Sequence, residues 1–137
     1  MSVYSCEEPD LEALEASEQQ LEVGKLATVT PGIYHKYKVG KENTVLRCTL
    51  TPRYADFERL LKIMNGLSKD GEMERYGDSL VFMAIVMDLS NTALFGPTKD
   101  MLDGVKAEKK DEIAAMKKKL MEKYDTEALK ALLIKKD

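Results

Sequence analysis

The 137-residue chain has no tryptophan, a single histidine, two cysteines, three phenylalanines and four prolines. Each scarcity excludes something. Cys6 and Cys48 make neither a disulfide framework nor a CxxC metal or redox pair, and two reduced thiols fit a cytoplasmic protein. One histidine cannot supply a histidine-rich metal site. No apolar stretch approaches the ~18 residues of a membrane-spanning helix, so no membrane partner is expected. Residues Met1 to Asp10 lack the basic and apolar regions of a secretory signal. A net charge of -3 lacks the basic excess that a nucleic-acid partner demands.

Familiar catalytic patterns are missing too. Gly24-Lys25 and Gly40-Lys41 have neither the earlier glycine nor the following Ser or Thr of a phosphate loop, and no GxSxG elbow exists. Carboxylates are abundant, but Asp56 with Glu58 and Glu72 with Glu74 lie in polar surroundings that would leave both members ionised. The methionines, including Met64, Met83, Met87 and Met116, fall in apolar or helical stretches, where filling a core is their ordinary role.

What is present is a balance of 44% hydrophobic and 33% charged residues, which suits a globular domain. The length predicts one domain, 1–137, with three patterns inside it. Residues 1–22 form an acidic leader, with Glu7, Glu8, Asp10, Glu12, Glu15, Glu18 and Glu22 ahead of the first basic residue, Lys25. Leu11, Leu14 and Leu21 mark one short apolar edge there. Against the lysine-rich tail, this leader could pair within the chain or across a dimer.

Residues 23–52 read as β structure. Leu26 to Thr30 suit a short strand, closed by Pro31-Gly32. In Ile33 to Val39, the residues Ile33, His35, Tyr37 and Val39 alternate onto one face, as a half-buried strand requires. Gly40 to Asn43 is a turn. Thr44 to Thr51 is a further strand with Leu46, Cys48 and Leu50 inward, stopped by Pro52.

Residues 53–137 read as a helical extension. Phe57, Leu60, Leu61, Met64 and Leu67 recur at amphipathic spacing until Lys69-Asp70-Gly71. Leu80 to Leu89 is nearly all apolar, which predicts a buried helix, with a strand as the alternative. Ser90-Asn91 and Gly96-Pro97 bracket a loop. Pro97 opens a long polar helix with a stripe of Met101, Leu102, Val105, Ile113, Met116 and Leu120, interrupted at Lys109. Asp103 with Lys106, and Lys118 with Glu122, are spaced to pair. Thr126 is placed to cap a last helix through Leu133.

The β segment carries a family likeness. Gly24-Lys25-Leu26-Ala27-Thr28-Val29-Thr30-Pro31-Gly32-Ile33-Tyr34-His35 resembles the second motif of the cupin superfamily, with Gly24, Gly32 and His35 at the family's spacing. Val45 to Pro52 and Phe57 to Leu61 resemble its last barrel strand and following helix. The likeness spans residues 22–67. It implies a partial cupin-type jelly-roll β-barrel followed by a helical C-terminal extension, an α+β fold, often dimeric, with a small-molecule pocket in the barrel mouth. In that pocket His35, Tyr37 and Cys48 would form a wall, and His35 would be the metal ligand of any divalent metal bound. Two histidines and a glutamate should precede Gly24 and do not, and Val39 stands where an asparagine is expected, so no cofactor is the expectation. The leading expectation is therefore a degenerate or truncated relative of small-molecule cupin enzymes. The alternatives are an active metal-dependent oxygenase, isomerase or decarboxylase of that family, and a helical protein-interaction module built on Pro97 to Leu133.

Overall fold

The computed structural model describes residues 2–6, 17–40 and 43–133. The chain divides into two compact units, Met1–Thr49 and Leu50–Asp137, where length alone suggested one domain.

In the first unit, β1 (Ser2–Cys6), β2 (Ser17–Gln20) and β3 (Tyr34–Lys38) form a small antiparallel sheet in the order β2-β1-β3. β1 pairs with both neighbours, so Tyr4 stands opposite Glu18 on one side and Lys36 on the other. The β3 strand lies where the alternation from Ile33 to Val39 placed it. Its expected inward face is not buried, however. His35, Lys36, Tyr37 and Lys38 are all exposed, because no second layer covers them among the described residues.

The jelly-roll expectation is overturned. The described chain is mainly helical, its strands are four or five residues long, and they close no barrel. Leu26 to Thr30 and Thr44 to Leu50 are irregular rather than extended in a ladder. Val45 is 95% and Leu26 82% exposed, which shows the cause: β-forming residues make a strand only when a neighbour supplies the hydrogen bonds and an apolar face to pack on. Gly24 and Gly32, which matched the family spacing, have φ of +80° and +87°. They serve local turns that need left-handed backbone, a requirement shared by many folds. The leader positions Leu11 and Leu14, and Lys41-Glu42 of the expected turn, lie outside the described residues.

The second unit is a helical assembly built around α1 (Ala55–Lys69). Asp56 and Glu58 in its first turn and Lys69 in its last complement the helix dipole. The apolar periodicity puts Leu60, Ile63 and Leu67 inside, and Gly71 (φ +71°) turns the chain away. A short helix, α2 (Met73–Gly77), follows where the residues show no clear period.

Next, α3 (Leu80–Ser90) is the buried apolar helix expected. Ser79 caps it by accepting from Phe82 N–H at 3.2 Å, and Asn91 ends it in a left-handed conformation. The long C-terminal helix is two helices, α4 (Pro97–Glu108) and α5 (Lys110–Tyr124). They break at Lys109, the residue that interrupts the stripe; its ψ of 30° leaves the helical range. Thr126 Oγ1 then accepts from Leu129 N–H at 3.3 Å and opens α6 (Glu127–Leu133).

Leu60, Ile63, Leu67, Phe82, Ile85, Leu89, Leu120 and Tyr124 make one core from α1, α3 and α5, with Leu129 of α6 packed against it. Buried apolar area of this kind is the main favourable term in folding.

Candidate functional site

The three residues expected to share a pocket wall do not share one. His35 and Tyr37 are neighbours on β3, with ring centroids 5.8 Å apart in an edge-on arrangement. The Nδ1 of His35 lies 3.1 Å from the Ile33 carbonyl oxygen, which favours the proton on Nδ1. Both rings are exposed. Cys48 is an exposed free thiol on an irregular segment. Exposed residues on an open sheet face and an irregular segment do not give the enclosure a small ligand needs. Among the described residues, no three His, Cys, Asp or Glu side chains converge in a way that could hold a metal ion.

The helical unit holds the stronger electrostatics. Lys62 is nearly buried, with 9% of its side chain exposed, and donates to Asp125 Oδ1. Arg59 bridges two carboxylates, donating from Nε to Asp125 Oδ2 at 3.1 Å and from Nη1 to Asp56 Oδ1 at 2.5 Å. The Lys62 hydrogen bond, opposed by burial and helped by Arg59, holds the Asp125 carboxyl below the usual range. A second cluster closes the other end of α1. Tyr124 O–H donates to Asp70 Oδ2 at 2.7 Å, and Lys123 Nζ lies 3.3 Å from the same oxygen. Both clusters tie α1 to the end of α5, and their charges are satisfied within the fold. They are structural clamps.

A different feature is open to a partner. Between α3 and α4 lies a shallow hollow of about 90 Å³. Met87, Leu94 and Leu102 contribute its apolar lining, Ala93 is exposed at it, and Lys99, Asp103 and Lys106 carry its charge. The loop between Asn91 and Gly96 that shapes it is fixed by the left-handed residue at one end and by Pro97 at the first helical position at the other. Asp103 pairs with Lys99 at 2.5 Å rather than with Lys106, while Lys118 and Glu122 meet at 3.9 Å as their spacing suggested. The Lys99 hydrogen bond holds Asp103 below the usual carboxylate range, so the hollow keeps two cations and one anion.

Comparison with protein-family models, curated proteins and solved structures gave no match.

The chemistry of the hollow must therefore be taken from its own residues. Its lining carries the Thr92 hydroxyl, which donates to the Ser90 carbonyl at 3.3 Å, and the Lys99–Asp103 ion pair. It offers a mixed lining about the size of one side chain, four apolar residues beside Thr92, with one net positive charge. Phe95 and Met101, sequence neighbours of Leu94 and Leu102, are 41% and 51% exposed, so more apolar surface continues beside the lining residues in the chain. The bracketing turn signals and the apolar Leu94-Phe95 pair between them were readable in the sequence; that they face α4 was not. No helix among the described residues is long and apolar enough to cross a membrane.

Proposed function

We propose that the chain is a protein-interaction module whose helical unit receives a partner's apolar side chain in the α3–α4 hollow. The observation that carries this reading is that Met87, Leu94 and Leu102 line the hollow together with Lys99 and Lys106. A partner segment with one apolar anchor beside a carboxylate matches both parts, since the anchor removes apolar area from water and the lysines attract the acid. The cupin-derived readings, a degenerate pocket protein or an active metal-dependent enzyme, depended on a barrel and lose that support without one. The cytoplasm is the compartment we assign, supported by the exposed, unbridged Cys48 thiol.

Selection of peptides from a random display library against the full chain tests the reading. Enriched peptides should carry an apolar residue next to Asp or Glu. Ala93→Arg, which fills the hollow, should abolish their binding, and Lys130→Glu on α6 should leave it intact. Binding indifferent to Ala93→Arg, or no enrichment at all, overturns the proposal.

A further inference from the structure

The sheet of the first unit is unusual in what surrounds it. Among the described residues from 18 to 49 no side chain is buried, and Val23, Leu26 and Val45 are each more than four-fifths exposed. Sheets of three strands only four or five residues long are marginal in water without an apolar face packed on something. Both outer strands, β2 and β3, have one pairing side that no strand of the described chain occupies. An open edge of this kind is a template for another strand unless its charges forbid the approach.

The charges decide which strand can approach. Pairing through β1 brings Glu18, Tyr4 and Lys36 level with one another, and likewise Gln20, Ser2 and Lys38. Residues two apart on a strand share a face, so one face of the sheet is polarised. Its β2 edge carries Glu18, with Glu22 just beyond, and its β3 edge carries Lys36 and Lys38. The Glu18 carboxylate accepts from Gln20 Nε2 at 3.0 Å. Two copies meeting β3 to β3 would set lysines against lysines, and β2 to β2 would set glutamate against glutamate. Like charges opposite each other across a strand pair are destabilising. Because β1 runs antiparallel to both, β2 and β3 run parallel, so the β3 of one copy can continue in register beside the β2 of another. That junction places Lys36 beside Glu18 and Lys38 beside Gln20.

We infer that the first unit associates with a second copy of this chain head to tail, the basic β3 edge of one copy pairing with the acidic β2 edge of the next. The junction uses different surfaces on its two sides, so each added copy presents a fresh edge. Assemblies then grow past a dimer unless the rotation between copies closes a ring. This association is independent of the α3–α4 hollow.

Sedimentation of the full chain from about 10 μM to about 1 mM tests it. The weight-average mass should rise with concentration beyond that of two chains and fall back in high salt, which screens exposed charges. Lys36→Glu with Lys38→Glu should weaken association about tenfold, as should Glu18→Lys with Gln20→Lys. Mixing the two double variants should restore it, because each then offers the edge the other lacks. Ala93→Arg should change nothing. Circular dichroism confirms that each variant is folded before it is scored. A chain that stays monomeric throughout overturns the inference. So does association that neither double variant affects, or two folded variants that fail to recover on mixing.

Discussion

Tyr124 packs its ring directly on the backbone of Gly66: a Cβ built at Gly66 would stand 2.1 Å from Tyr124 Cδ1 and 2.8 Å from Cγ. The ring is 4% exposed and its hydroxyl is bound to Asp70, so it has little room to yield. Gly66→Ala should gain about 1 kcal/mol of helix propensity and lose more to overpacking, for a net destabilisation of roughly 1–2 kcal/mol. Urea denaturation with and without Tyr124→Leu checks this; in the leucine background the alanine should be less harmful.

The Lys62–Asp125 pair joins α1 to the α5–α6 junction. Asp125→Ala strands a nearly buried ammonium and frees one end of Arg59. A fully buried pair loses roughly 3–5 kcal/mol when broken, and the partial exposure of Asp125 lowers that to about 1–3 kcal/mol. Lys62→Met removes the charge instead of stranding it and should cost less. Thermal unfolding of the two variants ranks them, and equal losses would contradict the account.

Stability should fall at both ends of the pH range. The carboxyls of Asp125, held by Lys62, and Asp70, held by the Tyr124 hydroxyl and Lys123, titrate below their usual values. Their contribution is complete above about pH 4, the unfolded value, and is lost as pH drops through the lower folded values. Burial raises the Tyr124 hydroxyl, and hydrogen bonding to Tyr124 and Asp70 raises Lys123. That contribution is complete below about pH 10 and is lost as pH climbs through the higher folded values. Urea midpoints measured across pH should show both arms, and Tyr124→Phe should shrink the alkaline one.

Ser79→Ala removes the acceptor for Phe82 N–H at the start of α3 and should cost about 1 kcal/mol. By contrast, His35→Ala changes an exposed ring and should stay within about 0.5 kcal/mol of the parent. Chemical denaturation distinguishes the two.

The helices were legible because their evidence is local. Phe57, Leu60, Met64 and Leu67 state a helical period within three turns, and Lys109 marks its own break. Two features escaped: α2, too short to show a period, and the division of the expected long helix into α4 and α5. Strands were legible in half. The alternation from Ile33 to Val39 located β3 within a residue, but whether its face is covered depends on distant chain. The same dependence explains why Leu26–Thr30 and Thr44–Thr51, equally rich in β-formers, form no strand. The expected site failed with the barrel: His35, Tyr37 and Cys48 were grouped by a fold whose strands do not form. The hollow joins a loop to a helix across several turns, and no spacing in the sequence announces that.

The central place of α1 also bears on how the chain is made. Lys62 leaves the ribosome 63 residues ahead of Asp125, its hydrogen-bond partner. At about 5–20 residues per second, α1 waits roughly 3–13 s with only α3 of the core helices available to cover its apolar face. For that interval the nascent chain displays Leu60, Ile63 and Leu67 to the crowded cell, and chaperone engagement should concentrate on this stretch until α5 emerges to close over it.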